Sequence, residues 1–409
     1  MGLACVLMFV LGAIFVFNPL LGHFCRGRGV PVSVGYILTG LLLGALLRQF
    51  ELQTAEFDSV FSALASLGVV ALLFRVGLRS HTSALLEKLP AASAIWICNV
   101  AGSLLVGFVV AHAVLGWSIE TSLIIAVAFS ATSVAVSVAV WDEAGQLSSG
   151  EGQMLVDVAE LDDLSAAVLL AVLIGVLPAM LNGNDGLWLQ VGSASLVILG
   201  KLAVFVTGCY LFAFFIEKRF TSFNSRLSES ESIMTISILG AGLAIAALAD
   251  ALGFSLAIGA LFAGLAFSRD PDAVRTDGRF SYIYDLLTPF FFIHIGMQTD
   301  VGSLITALDI GLVLFIAAAG IKLVSTALPA LLSMNRTRAL MLGLSMVPRA
   351  EIALVVMYAC RAIDPVLVPD DVFASMVLVS LGTCIVAPVM LRKMLAVEGC
   401  GNLSDSNKN

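Results

Sequence analysis

Long apolar stretches separated by short polar breaks repeat along the whole chain, and each stretch approaches the ~20 residues that an α-helix needs to cross a bilayer. Thirteen candidate spans follow from this pattern, at approximately 3–22, 31–48, 58–78, 89–115, 119–142, 150–178, 192–217, 231–250, 254–268, 281–298, 304–333, 337–362 and 371–395. Pro31, Pro90 and glycine-containing turns mark several of the boundaries. The opening MGLACVLMFVLGAIFVFNPLLG lacks the positive leader of a signal peptide and its apolar run is too long, so a retained first helix is expected. The closing GCGNLSDSNKN reads as a short polar tail, with no soluble regulatory domain after the membrane part. Since no water reaches lipid-facing backbone, the expected fold is an all-α polytopic membrane protein of about 13 transmembrane helices.

Composition agrees with the pattern. Of 409 residues, 59% are hydrophobic and 12% charged, where a soluble domain has roughly a quarter charged, and the mean hydropathy is +1.03. A net charge of −8 supplies no basic surface for nucleic acid. Seven scattered cysteines show no C-x-x-C spacing, and most sit in apolar stretches where a thiol packs as a small hydrophobe, which argues against a disulfide framework or zinc site.

Charge in the loops gives an orientation. Loops after odd-numbered spans carry Arg26, Arg28, Arg79, Lys88, Lys218, Arg219, Arg226, Arg269, Arg275, Arg279, Arg336, Arg338, Arg392 and Lys393; those after even-numbered spans carry only Arg48 and Arg361. By the positive-inside rule the N-terminus lies outside and the C-terminus in the cytoplasm.

Ionisable groups in mid-span cost several kcal/mol unless paired, so each is a functional candidate. The sixth span, EGQMLVDVAELDDLSAAVLLAVLIGVLP, places Asp162 and Asp163 near its midpoint, with Glu160 and Asp157 one to two turns earlier. Two adjacent carboxylates in a poorly solvated site cannot both ionise cheaply, so they titrate as a coupled unit. A monovalent cation that replaces protons as the neutralising charge turns this competition into cation–proton exchange. Asp157 is read equally well as a solvated acid near a helix end.

The fifth span carries Ser130, Thr132 and Ser133 at its centre, which small-residue helix packing alone would explain. The twelfth, RALMLGLSMVPRAEIALVVMYACRA, changes the reading: Pro348 removes a backbone hydrogen bond beside Arg349 and Glu351, two charges that are not expected to face lipid. Spans five and twelve cross the membrane in opposite directions. Interrupted helices at matching places in two inverted halves point to a mid-membrane site of a secondary transporter.

Lys322, in the eleventh span, needs a carboxylate partner, and one of Asp162 and Asp163 is the candidate, with snorkelling to an interface as the alternative. Lys201 and Arg75 lie nearer span ends, where snorkelling explains them. His294, in TPFFFIHIGMQTD, is read as a packed or locally hydrogen-bonded residue in preference to a pH sensor. His23, His81 and His112 show no metal-ligand spacing. Small residues four apart in GFSLAIGALFAGLAF suit close helix packing, within one subunit rather than across a dimer.

Together these segments resemble the monovalent cation:proton antiporters of the NapA-type and Kef-type branch. FSATSVAVSVAVWDEAG looks like that family's interrupted fifth-span segment, AELDDLSAAV like its paired-acid site, and GFSLAIGALFAGLAFS and LLTPFFFIHIGMQTD like its Gly-Ala-Phe and Pro-Phe-Phe segments. GIKLVSTALPALL followed by GLSMVPRAEIALVV resembles its lysine helix and second interrupted helix. Their order and spacing make the resemblance specific. It implies a sodium/proton antiporter fold with inverted repeats and two crossing interrupted helices, assembled as a homodimer in which a core domain moves elevator-like. Within a transmembrane domain of 1–398 it implies core helices at about 89–178 and 304–395, dimerisation or scaffold helices at about 1–78 and 192–268 and a linking helix at about 281–298, with 399–409 as the tail.

Carried over residue by residue, the resemblance makes Asp163 the principal sodium ligand. Asp162 pairs with Lys322 and releases it during the cycle, Thr132 and Ser133 lie beside the site, and Arg349 and Glu351 stabilise the core. The Asp-Asp pair resembles electrogenic members that exchange two protons for one sodium. The Kef-type potassium members carry Gln-Asp and a soluble nucleotide-binding domain. Glu160 and Asp157, as accessory acids, depart from the family pattern, as do Ala350 where glycine is common and His294 where a small or apolar residue is expected.

No enzyme activity and no cofactor is expected, only transported Na+ and H+, with K+ or Li+ as alternatives. The expected setting is membrane lipid, in a prokaryotic inner or plasma membrane. Potassium–proton exchange on the same scaffold stays open, because oxygen ligands do not fix ion size. A sensor would not need to retain Asp162, Asp163 and Lys322, and mostly apolar spans do not suggest a channel.

Overall fold

The structure, a computed structural model, describes residues 3–28, 30–79, 82–147, 149–181, 187–227, 231–268 and 277–406. His81, Arg269 and Arg275 lie outside them, as do residues 407–409 of the expected tail. All regular structure among the described residues is helical.

In chain order the helices are α1 Leu3–Arg28, α2 Val32–Gln49, α3 Ala55–Arg79, α4 Thr82–Val109 with a wide π turn at Val110–Val114, α5 Ile119–Ser130, α6 Val134–Glu143 and α7 Gly150–Leu181. They continue as α8 Leu187–Leu211 with a π turn at Phe212–Ile216, α9 Glu217–Leu227, α10 Glu231–Ala251, α11 Leu256–Phe267 and α12 Asp277–Gln298. The last are α13 Val301–Thr306, α14 Leu308–Ala330, α15 Arg336–Ser345, α16 Glu351–Ile363 and α17 Asp370–Ser406.

Nine of the described helices are long and apolar enough to cross a membrane on their own. Four of the thirteen expected spans, the fifth, ninth, tenth and twelfth, fall outside that set, three of them because their helices are short. The fifth and twelfth spans are each cut in two, giving α5 and α6 of 12 and 10 residues and α15 and α16 of 10 and 13 residues. The ninth, α11, has 12 residues. A 12-residue helix reaches about 18 Å of a hydrocarbon core about 30 Å thick. Helix α4 runs through Pro90, and α17 continues past residue 399 to Ser406, since extending a formed helix needs no new nucleus.

Several helix starts are written locally. Ser118, Ser255 and Asn335 each accept a hydrogen bond from the backbone N–H three residues on, capping α5, α11 and α15.

The chain divides into two compact units. One comprises Met1–Phe15, Leu42–Ala84 and Ala167–Gln298. There α3 crosses α11 where two glycines meet: a Cβ on Gly77 would lie 3.0 Å from Gly264 Cα and nearer still to the Leu261 carbonyl. A Cβ on Gly259 would lie 2.6 Å from Ala246 Cα of α10, so the small residues of α11 serve packing within one chain. His294 is buried among rings of the same unit and stacks on Phe61, with centroids 6.1 Å apart.

The other unit comprises Val16–Leu41, Leu85–Ala166 and Thr299–Asn409. Its core joins Ile95 of α4, Trp141 of α6, Leu155 and Val158 of α7, Met341 and Leu342 of α15 and Leu391 of α17. It contains both broken helices and every candidate ion-site residue.

Candidate functional site

The site begins where α5 stops. FSATSV contains neither proline nor glycine, yet Ala131 leaves the helix in extended conformation (φ −68°, ψ 145°) and Thr132 and Ser133 follow before α6 starts. The last carbonyls of α5 are taken by distant cations instead. Lys322 Nζ donates to Ser130 O at 2.6 Å, and Arg349 Nη2 donates to Phe129 O at 2.7 Å. A helix C-terminus carries partial negative charge, so these two cations stabilise the break.

The second break, Met346–Ala350, does contain its breaker, since Pro348 has no N–H to continue a helix. Its carbonyl accepts from Ser133 N at 2.7 Å, joining the two breaks where they cross. The carbonyl of Ser345, at the end of α15, accepts from Ser137 Oγ at 2.7 Å. Lipid-facing backbone could not be left open in this way; here each segment supplies the other's partners.

Asp162 of α7 is fully buried, and its carboxylate accepts three hydrogen bonds. Its Oδ2 accepts from Lys322 Nζ at 2.9 Å and from Thr132 Oγ1 at 2.5 Å. Its Oδ1 accepts from Asn99 Nδ2 of α4 at 3.0 Å. Lys322 is itself fully buried, so it does not snorkel. Of the two adjacent acids, Asp162 is the one it meets.

Asp163 differs. Successive helix residues point about 100° apart, and its Oδ1 is buried with no hydrogen-bond partner. It lies within electrostatic reach of Asp162, Glu351, Lys322 and Glu160. Glu160 stands one turn earlier on the same helix face, half-buried, and Asp157 a further turn back. Three oxygen-bearing groups, Asp162, Thr132 and the Ser130 carbonyl, meet around the Lys322 ammonium at the end of α5, with Asp163 within electrostatic reach. Hard oxygen donors of this kind suit an alkali cation.

Arg349 is fully buried, and its guanidinium donates to the carbonyls of Phe129, Ala318 and Val347 rather than to Glu351. Its backbone N–H donates to Thr383 Oγ1 at 3.1 Å. Glu351 is the first residue of α16, where a carboxylate complements the positive end of the helix dipole. The structure thus brings Thr132, Asp162 and Lys322 into direct contact and places Arg349 one carbonyl away, while Ser133 contributes through its backbone. Sequence reasoning passed over Asn99; its signal was a lone amide inside the apolar AIWICNVAGSLL.

The chain resembles known proteins over nearly its whole length. The chain is 26% identical to the high-affinity Na(+)/H(+) antiporter NhaS3 of Synechocystis, with 93% of this chain and 88% of that one covered. It is 26% identical to the Na(+)/H(+)-K(+) antiporter GerN of Bacillus cereus, covering 94% and 95%. The solved structure of the sodium proton antiporter MjNhaP1 from Methanocaldococcus jannaschii superposes with a TM-score of 0.72 at 14% identity, covering 97% of this chain and 99% of that one. At that identity it establishes the fold, which is that of a sodium/proton antiporter in an integral, multi-pass membrane protein. The family described as sodium/hydrogen exchanger, transmembrane, matches residues 9–397, and with nearly the whole chain matched, this protein belongs to the sodium/hydrogen exchanger family.

Proposed function

We propose that the protein exchanges sodium for protons by alternating access, with Asp163 as principal cation ligand and Asp162 alternating between Lys322 and the cation. The observation that carries this reading is the unequal pair of acids. Asp162 is ion-paired to a fully buried lysine, while Asp163 beside it keeps a buried carboxylate oxygen with no partner. A cation entering at Asp163 competes with the Lys322 ammonium for Asp162 Oδ2, with Thr132 Oγ1 already in place. Protons reload the acids when the cation leaves. Ser133 and Glu351 border the site, and Arg349 holds the broken helix that faces it. Glu160, with Asp157 behind it, supplies further negative charge along α7.

The helices at about 89–178 and 304–395, which include both broken helices, are the moving core in this reading, working elevator-like within a homodimer in membrane lipid, with N-terminus outside and C-terminus in the cytoplasm. The loop charges support the orientation, and bacterial relatives support a prokaryotic plasma membrane. Two acids serving one cation support electrogenic exchange.

The test is dissipation of an imposed pH gradient in proteoliposomes, with sodium, lithium and potassium titrated separately. Sodium is expected to dissipate it and Asp163→Asn to abolish the signal; no response to any cation over pH 6–9 sinks the reading. An electrogenic exchanger also responds to an imposed potential, about 2.3 kcal/mol per net charge per 100 mV. Potassium–proton exchange is the second reading, left open by an oxygen-only donor set that does not fix ion size and favoured by the likeness to GerN, a Na(+)/H(+)-K(+) antiporter. A potassium response exceeding the sodium response would establish it.

A further inference from the structure

Asn99 is fully buried on α4. Besides donating to Asp162 Oδ1, its own carbonyl oxygen accepts from Thr326 Oγ1 at 3.3 Å and lies 3.5 Å from Ser325 Oγ. The Ser325 hydroxyl has a better acceptor in Ile321 O at 2.6 Å, which leaves Thr326 as the donor to the amide. The orientation of the amide follows from chemistry. An ionised carboxylate can only accept, so the NH2 group faces Asp162 and the carbonyl faces the hydroxyl.

Lys322 and Thr326 are four residues apart and share one face of α14. That face therefore grips both oxygens of Asp162, Oδ2 directly through Lys322 and Oδ1 through Thr326 and the Asn99 amide. Gly102, three residues after Asn99, brings the two helices close: a Cβ there would lie 3.1 Å from Ser325 Cβ.

We propose that Asn99 is a positioning residue for ion exchange, which keeps Oδ1 of Asp162 occupied so that every exchange of partner takes place at Oδ2. The inference rests on the ion-exchange reading of Asp162. With Oδ1 filled by an N–H that cannot leave, the ammonium of Lys322, a proton or the cation succeed one another at the oxygen beside Thr132 and the Ser130 carbonyl. Without the amide the carboxylate can rotate, and a cation must first restore its aim. That cost appears in affinity, with the turnover of the loaded carrier unchanged.

The test measures sodium-dependent exchange by the full chain in proteoliposomes. Asn99→Ala is expected to raise the apparent KM for sodium about tenfold, the scale of one hydrogen bond to a charged group, with the maximal rate within about twofold of wild type. Asn99→Gln keeps an amide and recovers part of the loss. Thr326→Val, nearly isosteric, removes the hydroxyl that aims the amide and raises KM about threefold; it decides the matter should Asn99→Ala fail to fold. A wild-type KM in Asn99→Ala or, if that variant does not fold, in Thr326→Val overturns the proposal, as does a fall in maximal rate at unchanged KM. Asp163→Asn is run alongside: exchange at the wild-type rate there overturns the site reading itself, whereas its silence beside a wild-type KM in Asn99→Ala removes only the positioning role.

Discussion

The N–H of Ser133 donates to the carbonyl of Pro348 at 2.7 Å across the point where the two broken helices cross. One residue to either side, the same crossing is charged: Arg349 reaches back to the end of α5, and Thr132 reaches forward to Asp162. Backbone and ion site are thus one construction, and changes to either should be felt in both.

Arg349 spans three carbonyls from three segments, Phe129, Ala318 and Val347. Arg349→Lys keeps the charge but has no planar fork to bridge them. A loss of about 2–4 kcal/mol is expected from the carbonyls left open, seen as a lower melting temperature in detergent. Unchanged melting would show that the caps contribute nothing.

The Lys322–Asp162 pair has no access to solvent on either side. Lys322→Ala or Asp162→Asn alone leaves one buried charge and is expected to cost about 3–5 kcal/mol. The double variant Asp162→Asn with Lys322→Gln should recover much of the stability while remaining inactive in exchange. A double-mutant cycle on melting checks the coupling; strict additivity would contradict a direct pair.

Thr132→Val removes the hydroxyl that donates to Asp162 Oδ2 while keeping shape. Sodium affinity is expected to fall about tenfold, one charge-assisted hydrogen bond's worth, and Thr132→Ser should restore most of it. The sodium dependence of gradient dissipation reads both.

His294 packs against Phe61 within the unit that lacks the ion site. His294→Phe is therefore expected to leave the pH profile of exchange unchanged. A displaced profile would restore the pH-sensing reading.

The ion-site acids were legible in the sequence because charge in an apolar run is costly. Asp162, Asp163 and Lys322 each stand out against neighbours that belong in lipid, and Pro348 announces the second break by lacking an N–H. The first break was much fainter. FSATSV contains no breaker, and what ends α5 there is Lys322 and Arg349, cations that arrive from positions 192 and 220 residues further along the chain. Asn99 was missed because a single amide in a span does not say whether it faces lipid, a neighbour or a carboxylate.

By itself, then, the sequence determined that helices cross a membrane, roughly where they lie and which charged residues must find partners inside it, since hydropathy and the cost of burying charge act residue by residue. Only the tertiary structure decided which partner each charge found. That Asp162 and not Asp163 meets Lys322, that Arg349 serves carbonyls rather than Glu351, and that Asn99 closes the network all depend on how helices distant in sequence are rotated against one another. A turn of about 100° per residue sends adjacent acids in different directions, and only packing fixes which of them faces the lysine.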